Sequence, residues 1–143
     1  QKQLNQALKT VKGKNAVITV KAGKNVKITI PKGTYKVTIR VVGKKAAVVN
    51  NGTVKEIVVN SKGTVAIKNN GTIKKVTVQN AKSVSFSGKH KKAVPVVVNA
   101  EDVSMILAAP AKITAKKDVN ICAQKRCGKI IHNVYKKCTG TGG

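Results

Sequence analysis

The sequence has no tryptophan, one phenylalanine and two tyrosines, and its charge is almost entirely of one sign: 29 Lys and Arg stand against 4 Asp and Glu. So few rings exclude an aromatic platform on which single-stranded bases or flat sugar faces could stack. Two of the three rings, Tyr35 and Phe86, fall at positions expected to point inward, which leaves Tyr135 alone. The acids are Glu56, Glu101, Asp102 and Asp118. Only Glu101 and Asp102 are adjacent, and two neighbours supply fewer oxygens than a calcium site gathers. His90 and His132 have no Ser, Cys or acid partner at a catalytic spacing, so no enzyme activity and no cofactor are expected. No run approaches the roughly eighteen apolar residues of a membrane helix, and no membrane insertion is expected.

What is present is positive charge. The formal net charge is +25, and every cation except Arg40 and Arg126 is a lysine. A surface of this kind should collect polyanions, with duplex DNA and anionic cell-wall or surface polysaccharides as the partner classes. Lysine is a compact, strongly hydrated point charge without the planar fork of arginine, so the expected attraction is broad and salt-sensitive. The chain opens on Gln1 with no Met before it, which favours a removed leader and a secreted or cell-surface location.

The tetrad NNGT occurs at residues 50–53 and again at 69–72. Set out at that interval, the chain forms rows of about nineteen residues beginning KNAVITV, GTYKVTI, GTVKEIVV, GTIKKVTV and HKKAVPVVV. Apolar residues then fall into columns: Ala16, Tyr35, Val54, Ile73, Ala93 and Ala111; Ile18, Val37, Ile57, Val76, Val96 and Ile113; Val20, Ile39, Val59, Val78, Val98 and Ala115. A second strand in each row supplies Val26, Ala46, Val65, Val84, Val103 and Val119, followed by Ile28, Val48, Ile67, Phe86, Met105 and Ile121. Members within a strand sit two apart, the inward half of a pleat, with Thr19, Thr38, Thr77 and Thr114, or Ala47, Ala66, Ser85 and Ser104, facing out. Asn-Gly, Lys-Gly and Gly-Thr pairs break the rows at their corners, which excludes a helical reading. Asn51 and Asn70 also match a glycosylation acceptor pattern, but Asn-Gly is itself a tight-turn signal and that reading is preferred.

These rows resemble a right-handed parallel β-helix of the pectate-lyase-like, tailspike and surface-adhesin kind over about residues 14–121. Left-handed winding is the alternative, but its usual hexapeptide rhythm is absent. The expected fold class is an all-β, single-domain parallel β-solenoid of about six coils of about nineteen residues. Residues 1–13 form an N-terminal cap, 14–121 the coils, and 122–143 a cysteine-bearing cap with a Gly-rich tail. The resemblance also implies a corner ladder of side-chain amides, expected at Asn60, Gln79 or Asn80, and Asn99. In the N-terminal cap, Leu4, Leu8 and Val11 lie along one helical stripe, suited to plugging an open end that would otherwise invite pairing.

Any residue that recurs at one row position becomes a ladder with rungs about 4.8 Å apart. Lys36, Lys55 and Lys74 recur in this way, and so do Lys24, Lys44, Lys62 and Lys82 near the opposite corner. With Arg40 and Lys75 they form the candidate polyanion-binding set. Two ammonium groups ~5 Å apart in water repel by about 0.8 kcal/mol, which a regularly charged partner would relieve. The plainer reading is that lysine only keeps sheet edges apart, but solubility would be served at least as well by acids.

The segment 122–138 reads CAQKRCGKIIHNVYKKC. Cys122, Cys127 and Cys138 are disulfide candidates, one thiol being left over for a second subunit. The same stretch resembles a zinc knuckle, which would use Cys122, Cys127, His132 and Cys138, although its spacers are longer than those of a knuckle. The function expected is a non-enzymatic structural or adhesive solenoid that binds polyanions through lysine ladders and is able to self-associate into rods or filaments. The alternatives are a polysaccharide-binding or polysaccharide-cleaving β-helix protein, and a nucleic-acid binder with the knuckle-like terminus.

Overall fold

The structure, a computed structural model, describes residues 2–11, 14–22, 26–89, 92–101, 103–109, 111–116, 119–123 and 136–137. One helix, α1 (Lys2–Thr10), comes first. The strands are β1 (Ala16–Ala22), β2 (Val26–Ile30), β3 (Val37–Asn50), β4 (Thr53–Val54), β5 (Glu56–Asn69), β6 (Thr72–Ile73), β7 (Val76–Asn80), β8 (Ser83–Ser87), β9 (Val94–Val98), β10 (Val103–Leu107), β11 (Ala111–Ala115), β12 (Val119–Ala123) and β13 (Lys136–Lys137). Among the described residues every strand pairing is parallel, and the chain winds as a β-solenoid of about five turns.

Short β-branched strands cannot bury an apolar face alone, so each coil lays its inward residues on those of the coil before it. One ladder runs β1, β3, β5, β7, β9, β11. A second runs β2, β3, β5, β8, β10, β12, with β13 pairing on its end. The long strands β3 and β5 bend through the corner and belong to both. In register, Ile39, Ile57, Val76, Val96 and Ile113 stack down the first ladder, and Ile28, Val48, Ile67, Phe86 and Leu107 down the second. All ten are buried in one hydrophobic cluster, where a residue of this kind contributes about 1.5–3 kcal/mol. Tyr35 and Phe86 both face inward, as expected. Leu8 of α1 is buried in the same cluster and Val11 packs against it, so the helix covers core where a cap was expected. The side chain of Leu4 lies outside the described set.

Three columns differ from expectation. Ala16, Ile18 and Val20 pair with Val37, Ile39 and Val41, so the first row is displaced by two residues. Val84 and Phe86 pair with Met105 and Leu107, not with Val103 and Met105. Ala111 pairs with Val94, which is buried, while Ala93 is exposed. In each case three inward residues alternate along the strand, and a slip of two keeps the same face inside.

Candidate functional site

The two copies of NNGT form one corner of the solenoid. Asn50 Nδ2 donates to Asn69 Oδ1 at 2.9 Å, to Gly52 O at 3.0 Å and to Thr72 O at 3.2 Å. Gly52 N donates to Asn50 Oδ1 at 3.1 Å, and Gly71 N to Asn69 Oδ1 at 3.3 Å, so each first asparagine closes its own turn. The second asparagines repeat the link outside: Asn70 Nδ2 donates to Asn51 Oδ1 at 3.1 Å. Asn50 and Asn69 are fully buried, and these bonds satisfy backbone groups that water cannot reach. The glycines follow from the closeness of the coils. A Cβ on Gly71 would lie within 3.0 Å of the Gly52 carbonyl oxygen, and one on Gly52 would meet the Pro31 and Gly33 carbonyls. The amide ladder therefore sits at this corner, not at Asn60, Asn80 and Asn99, where Asn60 pairs with Asn80 through a register shift and Asn80 and Asn99 are exposed.

The corner sets the third side of the solenoid. Directly after it, Thr34, Thr53 and Thr72 stack in parallel register, and Val54 of β4 pairs with Ile73 of β6. Two residues beyond each threonine stand Lys36, Lys55 and Lys74, all exposed. Lys74 N donates to Val54 O at 3.2 Å and Lys55 N to Val37 O at 3.1 Å, so the lysines occupy consecutive rungs. Tyr35, Val54 and Ile73, between threonine and lysine, are buried. The third side is thus a threonine row beside a lysine row, both held straight by the amides behind them.

The stack ends at Gly88. It lies on Asn69, and a side chain there would overlap the Asn69 carbonyl. No third-side strand follows β6 among the described residues, and the step leaves a cleft of about 360 Å³ lined by Thr72, Ile73, Lys74, Lys92, Val94 and Pro95. Lys92 continues the cationic row into this cleft. Repetition in the sequence did not reveal it, because the row HKKAVPVVV lacks the Gly-Thr that marks the rungs above.

The other candidate residues are placed differently. At the corner between the two long ladders, Gly63 lies on Lys44, and Lys82 N donates to Gly63 O at 2.9 Å. The line there runs Lys44, Gly63, Lys82, with a register shift between Gly43 and Lys45 that leaves Lys62 off it. Lys44, Lys62 and Lys82 are exposed but do not form consecutive rungs, contrary to the expected ladder. Lys24 lies outside the described residues. Arg40 is half-buried on the outer face of the first ladder, paired with Val58, and Lys75 is exposed one residue before Val76, at the level of Glu56. Glu56 Oε2 accepts a hydrogen bond from Thr77 Oγ1 at 2.6 Å.

Among the described residues no group of three or more His, Cys, Asp or Glu is placed to hold a metal, and no helix is long and apolar enough to cross a membrane. Cys122 pairs through its backbone with Ile106, while Cys127, His132 and Cys138 lie outside the described residues. The fold defines the class of the chain: an all-β protein built as a parallel β-solenoid. No family model matches the sequence, and neither a curated protein nor a solved structure matches it.

Proposed function

We propose that this chain is a secreted, non-enzymatic structural or adhesive β-solenoid that binds polyanions, duplex DNA or an anionic cell-wall or surface polysaccharide, through lysines in register. The observation that carries the reading is the third side, where Thr34, Thr53 and Thr72 fix Lys36, Lys55 and Lys74 on successive exposed rungs of a rigid frame. Cations held about 4.8 Å apart repel one another, and a bound polyanion converts that repulsion into attraction without reordering the backbone. The net charge of +25 supplies the wider field that draws such a polymer in. In this reading the coil winds to the right, as in surface adhesins, and rods associate into filaments along their faces.

The test is binding to heparin, duplex DNA and a teichoic-acid-type polymer over a series of salt concentrations. Binding that tightens steeply as salt falls is expected, because each neutralised anion releases a counterion. A salt-independent affinity, or turnover of any of the polymers, would overturn the reading.

A further inference from the structure

The third side differs from a general basic surface in three ways, and together they select a ligand. Its cations form a straight line along the solenoid axis. Each cation is accompanied by a threonine hydroxyl two residues away on the same rung, Thr34 with Lys36, Thr53 with Lys55 and Thr72 with Lys74. The line also has one defined end, the cleft holding Thr72, Lys74 and Lys92 over an apolar lining of Ile73, Val94 and Pro95.

From this geometry we propose that the third side is a binding track for a linear polysaccharide carrying one carboxylate or sulfate on each sugar ring, and that the cleft is its terminal subsite. The proposal rests on the polyanion reading above and narrows it. A 1,4-linked pyranose unit is about as long as one coil is high, so an extended chain lying along the axis presents one ring, one anionic group and its hydroxyls to each rung of about 4.8 Å. The ammonium takes the anion and the threonine hydroxyl takes a sugar hydroxyl, the two-point contact that the Thr and Lys rows offer. Duplex DNA fits this track poorly, since its phosphates advance about 3.4 Å per strand step and wind away from a straight line. At the cleft the last ring leaves the track, its anionic group between Lys74 and Lys92 and its apolar face toward Val94 and Pro95.

The test uses the whole chain and two size-graded ligand series, heparin oligosaccharides for sulfate and oligouronates for carboxylate, with duplex DNA of matched charge as the contrast. Affinity is expected to rise with oligosaccharide length and to level off at about four rings, three rungs and the cleft. Lys92→Gln is expected to weaken binding about fivefold at every length, with Lys92→Arg restoring most of it, while Lys82→Gln at the other corner changes it less than about twofold. Thr53→Val, which keeps the charge and the β-branched shape, is expected to weaken the oligosaccharides and leave DNA binding unchanged. If affinity follows charge number alone, with equal effects from Lys82 and Lys92 and no length plateau, the track is overturned while the polyanion reading stands. If none of the ligands binds at low salt, both fall.

Discussion

The two corners that bound β3 and β5 hold their coils together by different means. At the NNGT corner, buried Asn50 and Asn69 pass hydrogen bonds from coil to coil, and the rungs beyond stay in register from Thr34 to Thr72. At the opposite corner, Ser61 Oγ donates to Gly43 O at 2.6 Å and accepts from Gly63 N at 3.1 Å, but the pairing slips between Gly43 and Lys45 and again between Val59 and Asn60. One hydroxyl braces one step, whereas a primary amide both donates and accepts and so repeats from rung to rung. The consequence reaches the surface. Where register holds, cations fall on successive rungs. Where it slips, Gly63 separates Lys44 from Lys82 and the charge is scattered.

The largest effect that separates the corners is expected from Gly71→Val. The atoms a Cβ would meet there are backbone atoms of Asn51 and Gly52, which cannot turn aside, so the coils must part. A loss of about 4 kcal/mol in unfolding free energy is expected by chemical denaturation. A change below about 1 kcal/mol would mean that the coils are not in contact at this corner.

Next come Asn69→Ala and Ser61→Ala, one for each corner. Asn69→Ala removes the acceptor of Asn50 Nδ2 and of Gly71 N inside the fold, and is expected to cost about 2–3 kcal/mol. Ser61→Ala removes the bonds to Gly43 and Gly63 at a tighter but isolated step, and is expected to cost about 1 kcal/mol. Equal costs would contradict the claim that the amide ladder, and not corner hydrogen bonding in general, keeps the third side straight.

At the level of binding, the comparison is between two triple variants that lose the same charge. Lys36→Gln/Lys55→Gln/Lys74→Gln is expected to weaken heparin binding at least about tenfold and to flatten the salt dependence by about three ions. Lys44→Gln/Lys62→Gln/Lys82→Gln is expected to cost only about twofold to threefold, as a loss of general field. Indistinguishable triples would show that net charge governs attraction and that register adds nothing.

How far the sequence revealed this arrangement depends on what repeated. NNGT is identical in two coils because both rungs need the same buried amide and the same space-saving glycine, and the repeat exposed the period. The expected columns hold where intervals are regular: Ile57 with Val76, Val76 with Val96, and Ala46, Val65 and Val84. They fail at Val37–Val41 and Val103–Leu107, since a strand whose inward residues are all apolar has the same pattern after a slip of two. The role of Asn50 and Asn69 was not legible either. Asn-Gly reads as a turn from local chemistry, and only the closeness of the next coil shows that the residue before it is buried and bonded across. Lys92 was hidden for the opposite reason, its row having lost the Gly-Thr marker.

The smallest effect bears most directly on register. If Lys36, Lys55 and Lys74 stand on consecutive rungs, Lys55 is repelled from both sides in the free protein, and Lys55→Gln should stabilise the fold. The gain expected is roughly a few tenths of a kcal/mol at low ionic strength, because exposed ammonium groups splay apart in water. It should vanish near 1 M salt, where the screening length falls to about 3 Å, shorter than a rung. Lys62→Gln, at the corner where Gly63 lies between Lys44 and Lys82, should give a smaller gain with a weaker salt dependence. Thermal unfolding of the two single variants at low and high salt measures the difference. A larger gain at Lys62 than at Lys55 would place the aligned charges at the wrong corner, and the binding track with them.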